Sequence, residues 1–295
     1  MAANTRDIRR RIKSVKNTSQ ITKAMQMVAA AKMRKAQQVA LAGRAYAELL
    51  GKVLRSVASG TAENAHELLA TREVKKELVL VISTDKGLCG ALNTNLLREV
   101  AKFDPAKTMF VACGRKGLQY LARTNRNVAA QFELRDSPGF LETKAVAKFC
   151  MEKFTSGEVD KVTVVFTDFI NTLSQIPTAG TILPITSLEV TAGIGGAQET
   201  ATVKAEEGES TEYTFEPGIQ EVLTAVLPHH VYFQVYQMVL DSRASEHSAR
   251  MVAMKSATDN AKQLIKDLTL EYNKVRQAAI TTELLEITTA QMALG

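Results

Sequence analysis

KNTSQITKAMQMVAAAKMRKAQ, residues 16–37, is a stretch of strong helix formers that contains neither glycine nor proline. Ala, Met, Lys, Gln and Arg all have high helix propensity, so the stretch predicts an uninterrupted α-helix. Its apolar face is narrow, and a narrow face can be buried only against something slender. The stretch therefore predicts either a partner helix in a coiled coil or a contact surface on another chain.

Both ends of the chain predict helices of unusual length. Residues 2–58 contain no proline, and their only glycines are Gly43 and Gly51. Residues 229–294 contain neither glycine nor proline, and Pro228 is expected in the first turn of that helix. Helices this long exceed what a compact domain needs. We therefore expect the two termini to pair as a long antiparallel coiled coil.

The spacing of apolar residues predicts which helix faces meet. In the N-terminal helix the 4-3 spacing occurs twice, with a shift of one residue in phase between the two sets: Ile8, Ile12, Val15, and Ile21, Met25, Val28. In the C-terminal helix the spacing is regular. Its seam is expected at Ala261, Ile265, Leu268, Tyr272, Val275 and Ala279.

Between the two helices, short apolar runs alternate with helical patterns. Strands are predicted over residues 77–84, 108–114 and 161–169, with two further short strands around a turn in 175–186. Helices are predicted over 90–103, 115–124 and 143–154. This βαβ alternation predicts a mainly parallel sheet. The expected fold class is α/β: a long antiparallel coiled coil of the N- and C-terminal helices with an inserted Rossmann-like α/β domain.

The same patterns predict four segments along the chain. These are an N-terminal helix over 1–60, an α/β domain over 75–187, an acidic loop over 188–217 and a C-terminal helix over 218–295. The charge is unevenly spread among them. Residues 1–60 hold 13 Lys and Arg against 2 Asp and Glu, whereas 189–216 hold 7 acidic residues against one lysine. The basic N-terminal segment suits nucleic acid, an anionic membrane surface or an acidic protein partner.

No catalytic or metal-binding motif is found. Cys89, Cys113 and Cys150 are too far apart for a CxxC site, and the four histidines form no HExxH pattern. The turn at 83–94, STDKGLCGALNT, matches neither GxGxxG nor a P-loop, so Asp85 and Lys86 are interpreted as turn residues. We therefore expect no catalytic residues, no cofactor and no metal.

No run of about 18 apolar residues is present, so no membrane-spanning segment is predicted and a cytosolic protein is expected. Two alternatives stay open from the residues alone. One is a basic helical nucleic-acid-binding protein with an α/β domain, although aromatic residues are sparse. The other is a nucleotide-dependent α/β enzyme with helical arms.

Four stretches carry a resemblance to a known family. They are residues 8–37, 83–95, 245–261 (SEHSARMVAMKSATDNA) and 272–287 (YNKVRQAAITTELLEI). Over essentially its whole length the sequence resembles the gamma subunit of F-type ATP synthases. The resemblance implies a central rotor shaft, formed by the terminal helices inside a head of alternating alpha and beta subunits, and an α/β foot on the c ring of the membrane sector.

The resemblance also implies the partners and the location. The beta subunits supply the nucleotide sites, so this chain is expected to be non-catalytic by itself and to hold no cofactor. Its implied partners are the alpha, beta, epsilon and delta subunits and the c ring, with no nucleic acid. Its implied location is peripheral, on the cytoplasmic face of the bacterial plasma membrane. The paired cysteines of the chloroplast-type insert are missing, since no cysteine follows Cys150.

The resemblance further implies contact residues. Arg276, Gln277 and Thr281 are expected to meet a loop of a beta subunit, with Met25 where the shaft meets a beta-subunit lever and Cys89 near the same region. The basic residues of the first helix are expected to face acidic residues of those levers. Tyr213 and Glu216 are expected near the c ring and the epsilon subunit. Residues 193–211 are longer and more acidic than a minimal member of the family requires.

Overall fold

The structure, a computed structural model, describes residues 5–59, 66–185 and 218–294. The two longest helices have 55 and 76 residues, which correspond to about 80 Å and about 115 Å at 1.5 Å per residue. The elements in chain order are α1 (Thr5–Ser59), β1 (Glu77–Ile82), α2 (Leu92–Ala101), β2 (Thr108–Cys113), α3 (Arg115–Arg123), β3 (Val128–Phe132), α4 (Phe140–Thr155), β4 (Lys161–Phe169), β5 (Gln175–Leu183) and α5 (Ile219–Leu294).

The chain divides into two compact units. The first, called the helix-pair unit, contains the residues up to 29 and those from 251 onward. The second, called the sheet unit, contains residues 30–250. Both α1 and α5 contribute one part to each unit.

In the helix-pair unit the two helices are antiparallel. Arg9 Nη2 donates a hydrogen bond of 2.9 Å to the Tyr272 hydroxyl, and the hydroxyl oxygens of Thr22 and Thr258 lie 2.7 Å apart. The contact position on α5 therefore moves toward its N-terminus as that on α1 moves toward its C-terminus. This order confirms the predicted antiparallel pairing.

The seam of α1 keeps one phase through the helix-pair unit. Most of its buried and half-buried positions follow a continuous 4-3 spacing: Ile8, Ile12, Val15, Ser19, Thr22, Gln26 and Ala29. Ile21 and Val28 are 60% and 55% exposed, so the predicted shift in phase is wrong, although Met25 is half-buried. Ser19, Thr22 and Ala29 continue the seam because small and hydroxyl side chains allow close approach of the helices.

The predicted seam of α5 is confirmed except at its end. Ala261 is buried, and Ile265, Leu268, Tyr272 and Val275 are half-buried. Ala279 is exposed, which corrects the prediction for that residue. The contact of Arg9 with Tyr272 puts the start of the described part of α1 beside the last half-buried seam residues of α5.

The sheet unit contains a five-stranded sheet in the order β3-β2-β1-β4-β5. The pairs β1·β2, β1·β4 and β2·β3 are parallel, and β5 runs antiparallel to β4. This arrangement confirms the mainly parallel sheet. Two details differ from the sequence prediction: residues 175–183 form one strand rather than two, and β3 was not predicted because its VAAQF sequence has few branched apolar residues.

The first part of α5 is packed into the core of the sheet unit. Leu223, Leu227 and Val231 are buried there together with Leu50 of α1. The helix begins at Ile219, so Pro228 lies inside it rather than in its first turn, which corrects the prediction. A proline inside a helix removes one backbone hydrogen bond. Burial of Leu223 and Leu227 before it and of Val231 after it offsets that cost.

Candidate interaction sites

A short segment of α5, residues 243–250, lies against the carboxyl ends of the sheet strands. Ser245 Oγ donates to the Thr167 carbonyl oxygen at 3.1 Å, near the end of β4, and Ser248 Oγ donates to the Thr172 carbonyl oxygen at 2.9 Å. Arg250 Nη2 donates to the Gly87 carbonyl oxygen at 3.3 Å, in the turn that follows β1. The segment therefore bridges the ends of two neighbouring strands.

Arg243 is the centre of a buried ionic cluster on this segment. Its side chain is 6% exposed and donates to Glu246 Oε2 at 2.8 Å, to the Leu134 carbonyl oxygen at 3.0 Å and to Asp85 Oδ2 at 3.3 Å. Burial by itself would lower the pKa of the guanidinium. The carboxylates of Glu246 and Asp85 have the larger effect, and the pKa lies above its ordinary value. The guanidinium therefore stays charged in the core.

Glu246 joins Arg243 to a second arginine. Its side chain is 5% exposed, and its Oε1 accepts a hydrogen bond of 2.7 Å from Arg250 Nη2. Asp85 Oδ1, at the other side of the cluster, accepts from the backbone N–H of Arg115 at 3.1 Å, at the start of α3. Two carboxylates thus balance two guanidiniums. We call Asp85, Arg243, Glu246 and Arg250 the ionic joint.

The ionic joint occupies the place where proteins with this kind of sheet commonly bind ligands. In open α/β sheets that place is outside the carboxyl ends of the strands, where the strand order reverses. Here the order reverses between β1 and β4. The ends of these strands are covered by the chain's own Arg243, Ser245 and Arg250. Asp85 is a turn residue, as predicted, and it also belongs to this joint.

Cys89, one of the predicted contact residues, lies in the turn between β1 and α2. Its side chain is 2% exposed, and its sulfur accepts a hydrogen bond of 3.3 Å from Asn93 Nδ2. Burial raises the pKa of the thiol. The neighbouring Leu88 is 61% exposed and has a positive φ of 63°. Contact of Cys89 with a partner stays a prediction, and Leu88 is a large apolar side chain that this turn presents to solvent.

Arg276, Gln277 and Thr281 lie close together on the last part of α5. All three are exposed, and Thr281 Oγ1 donates to the Gln277 carbonyl oxygen at 3.0 Å. They belong to residues 276–292, which we call the helix tip. Every side chain of the helix tip is exposed. Its large apolar members are Ile280, Leu284, Leu285, Ile287 and Met292.

Met25, the remaining predicted contact residue in the described part of the chain, is half-buried on α1. It lies beside a second exposed apolar group, which consists of Ile21, Met27 and Val28. We call these three residues the outer patch. Tyr213 and Glu216 lie outside the described residues. The structure thus brings Arg276, Gln277 and Thr281 together on α5 and puts Cys89 in the sheet unit.

Sequence reasoning did not identify the ionic joint as a unit. A signal was present: residues 239–254, VLDSRASEHSARMVAM, put charged residues on several faces of an otherwise apolar helix. Charged residues are rarely buried unless they are paired. A helix that is apolar both before and after such a segment therefore predicts buried ion pairs within it.

The described structure defines a class of protein in which long antiparallel helices are combined with an inserted, mainly parallel α/β sheet. The family model described as "ATP synthase" matches residues 4–294. The chain is 47% identical to the ATP synthase gamma chain of Methylacidiphilum infernorum over 304 residues, an alignment that covers 99% of this chain and 100% of the relative. It is 50% identical to that of Opitutus terrae over 294 residues, covering 99% of each. The chain belongs to the ATP synthase gamma-chain family.

Solved structures support the same fold. A chain of the Euglena gracilis mitochondrial ATP synthase, from a structure of OSCP/F1/c-ring, matches with a TM-score of 0.67 and 22% identity over 98% of this chain and 94% of that one. A chain from the central stalk/c-ring of the Tetrahymena thermophila mitochondrial enzyme has a TM-score of 0.61 and 24% identity over 80% and 99%. At these identities the likeness supports the fold alone. It confirms the predicted fold class.

Family membership does not favour the nucleic-acid-binding alternative. It identifies the chain as a subunit of an enzyme complex, in agreement with the resemblance carried by residues 8–37, 83–95, 245–261 and 272–287. Within the described ranges, no helix is both long enough and apolar enough to cross a membrane.

Proposed function

We propose that this chain is the central rotor shaft of an F-type ATP synthase and is non-catalytic by itself. In this role it couples ion-driven rotation of the c ring to ATP synthesis and hydrolysis at the beta subunits. Membership of the gamma-chain family supports the proposal. So do the structural neighbours, one from a central stalk/c-ring and one from an OSCP/F1/c-ring assembly of mitochondrial ATP synthases.

The helix tip is the observation that carries the proposal. Ile280, Leu284, Leu285 and Ile287 are all exposed in the chain alone, and at about 100° per residue they spread over nearly half of the helix circumference. An apolar face this broad needs apolar surroundings. A ring of alpha and beta subunits around the tip would bury it. Large exposed apolar patches commonly mark such protein contacts.

We propose specific contacts within that arrangement. Arg276, Gln277 and Thr281 form a polar contact with a loop of one beta subunit at a time. Met25, together with the outer patch, contacts a beta-subunit lever, and the turn that contains Cys89 lies near the same subunit. Exposed basic residues of α1 such as Arg10 and Lys13 suit acidic residues on that lever.

The remaining partners follow from the proposed role. The terminal segments 1–60 and 218–295 form the shaft, residues 75–187 form the foot, and 188–217 form an acidic loop. Tyr213 and Glu216 are proposed to contact the c ring and the epsilon subunit, and the delta subunit belongs to the same head. The proposed location is peripheral, on the cytoplasmic face of the bacterial plasma membrane.

The test is a double variant in the complete complex. Arg276→Ala with Gln277→Ala removes the planar donor fork and the amide from the helix tip. A charge-assisted hydrogen bond contributes about 1.5–3 kcal/mol, so its loss can shift the population of a rotational state roughly ten- to hundredfold. We expect impaired ATP synthesis and hydrolysis with a normal amount of assembled head.

A matched control is Arg123→Ala, which removes an exposed arginine from α3 in the sheet unit. We expect this control to synthesise and hydrolyse ATP at the wild-type rate. Wild-type rates in the double variant would show that Arg276 and Gln277 are only a solvated helix surface. Failure of the chain to copurify with alpha, beta and epsilon subunits would contradict the proposed function itself.

A further inference from the structure

We infer that the ionic joint of Asp85, Arg243, Glu246 and Arg250 fixes the rotational setting of α5 against the sheet and thereby transmits torque between them. This inference rests on the proposed function. The four residues would act as positioning residues, since none of them needs to touch a nucleotide. Their task is to keep α5 from turning about its own axis while torque acts on the sheet unit.

The geometry supports this task because the contacts tie the helix to the ends of three different strands. Arg250 donates to the carbonyl oxygen of Gly87 after β1, Arg243 donates to the carbonyl oxygen of Leu134 after β3, and Ser245 donates to that of Thr167 in β4. Successive residues of a helix are separated by about 100° around its axis. A turn of the helix by one residue would therefore break all three contacts together.

The apolar contacts of α5 cannot perform this task equally well. Leu223, Leu227 and Val231 pack into the core of the sheet unit. Hydrophobic burial has no direction, and packed helices tolerate small shear movements. Ion pairs and hydrogen bonds depend on angle as well as distance. The apolar contacts therefore hold α5 against the sheet unit, and the ionic joint fixes its rotational setting.

The burial of these charges also requires an explanation. Arg243 and Glu246 are almost completely buried, and removing charges from water is costly even when they are paired. Apolar residues of similar size would often give equal or greater stability at such positions. A requirement for one fixed orientation is a reason to retain charged residues there. A rotating shaft under load has that requirement.

The experiment measures torsional stiffness in the complete complex. The head is fixed to a surface, and a gold rod is attached to a cysteine introduced at Leu141, which is 79% exposed in the sheet unit. The angular spread of the rod is recorded while the complex pauses. Asp85→Asn removes the charge beside Arg243 but keeps the Oδ1 acceptor for the Arg115 N–H. Glu246→Gln removes the carboxylate between the two arginines.

We expect the angular variance to rise about twofold or more in each variant, as directional contacts are replaced by packing that permits shear. Asp85→Glu, which retains the carboxylate, is expected to bring the variance back toward the wild-type value. Glu152→Gln is the control, because it removes an exposed carboxylate paired with Lys148 at 3.6 Å on α4. The control should leave the variance unchanged.

Each outcome separates the inference from the function on which it rests. Unchanged variance in an assembled, rotating Asp85→Asn complex would overturn the ionic joint as a torque-transmitting element and leave the rotor proposal intact. A wild-type chain that does not assemble with the head would overturn the rotor proposal. If Glu246→Gln prevents assembly, Asp85→Asn alone decides, because its side chain is nearly the same size and keeps the contact with α3.

Discussion

The helix-pair unit and the sheet unit bury the same two helices by different means. In the helix-pair unit the buried seam includes small and hydroxyl residues such as Ala29, Ala261 and the pair Thr22 and Thr258. In the sheet unit the two helices bury large side chains such as Leu50, Leu227 and Phe233. One pair of helices therefore has a weakly packed part and a firmly packed part.

The two units are suited to different tasks: the sheet unit to stability and the helix-pair unit to contact with a partner. Burial of large apolar side chains contributes most to stability, so the sheet unit is expected to hold itself together. The helix-pair unit buries less and leaves Ile21, Met27 and Val28 exposed. Apolar residues at the solvent side of a helix are available to a partner. The comparison therefore predicts that the sheet unit is stable alone and that the helix-pair unit depends on its surroundings.

The largest expected effect is the loss of a core side chain in the sheet unit. Leu227→Ala should lower the free energy of unfolding by about 2–5 kcal/mol, because it leaves a cavity among fully buried neighbours. The measurement is the midpoint of urea unfolding followed by circular dichroism. Ile21→Ala in the helix-pair unit is the matched change, and we expect it to alter stability by less than about 0.5 kcal/mol. Equal effects would remove the distinction between the two units.

The next effect depends on pH and again concerns the sheet unit. His230 is fully buried, and among the described residues neither ring nitrogen has a hydrogen-bond partner. Burial lowers its pKa to about 4 from the ordinary 6.5. The unfolded chain therefore binds a proton before the folded chain does. Stability should be constant above about pH 7 and should fall by about 3 kcal/mol between pH 6.5 and 4.

The control for this prediction is His230→Phe, which keeps a ring of similar size and removes the titrating group. As the pH falls from 6.5 to 4, the variant should become increasingly more stable than the wild-type protein, as judged by the free energy of unfolding. Urea unfolding at pH 7.5, 6.0 and 5.0 gives the comparison. A difference that does not change with pH would show that His230 is not buried as a neutral ring.

A smaller effect is expected at the end of the helix-pair unit. Arg9 donates to the Tyr272 hydroxyl, and its guanidinium lies 5.6 Å from the centre of the ring. Because the contact is exposed, Arg9→Ala should cost about 1 kcal/mol or less. Faster hydrogen exchange over residues 5–15 would report the loss. Arg10→Ala, whose ionic partner is Asp7 on the same helix, is the control and should leave exchange at α5 unchanged.

The smallest effect is expected at the buried hydroxyl pair. Each hydroxyl has a second acceptor on its own helix: the Ser19 carbonyl oxygen at 3.1 Å for Thr22 and the Met254 carbonyl oxygen at 2.8 Å for Thr258. Breaking the pair therefore leaves neither donor unsatisfied. Thr22→Val together with Thr258→Val should change stability by less than about 1 kcal/mol. A much larger loss would mean that the helix-pair unit relies on this contact more than its packing indicates.

Much of the fold could be predicted from the sequence because it depends on local patterns. The long helices follow from residues without glycine or proline, and β1, β2 and β4 follow from apolar runs between turns. Errors arose where a distant contact decided the outcome. The seam at Thr22 is selected by Thr258, and the start of α5 at Ile219 is stabilised by core residues contributed by other elements. The spacing of apolar residues within one helix reveals neither the contact between Thr22 and Thr258 nor the start of α5.

The candidate sites also divide into one that a local sequence motif indicated and one that depends on distant contacts. The resemblance over residues 272–287 implied that Arg276, Gln277 and Thr281 contact a beta subunit, and in the structure all three lie on an exposed helix surface. The ionic joint combines Asp85 with residues more than 150 positions away, as the separation of 158 between Asp85 and Arg243 illustrates. Partners so distant in sequence are brought together only by the fold of the sheet. The contacts of Arg276, Gln277 and Thr281 with other subunits stay predictions.

Rotation of this chain inside the assembled complex tests the central claim most directly. With the head fixed to a surface and a rod attached at Leu141→Cys, addition of ATP should drive stepwise rotation of the rod in one direction. The rotation should stop when ATP is removed. A rod that keeps a fixed angle while the same complexes hydrolyse ATP would contradict the account, because the chain would then belong to the stationary part of the enzyme.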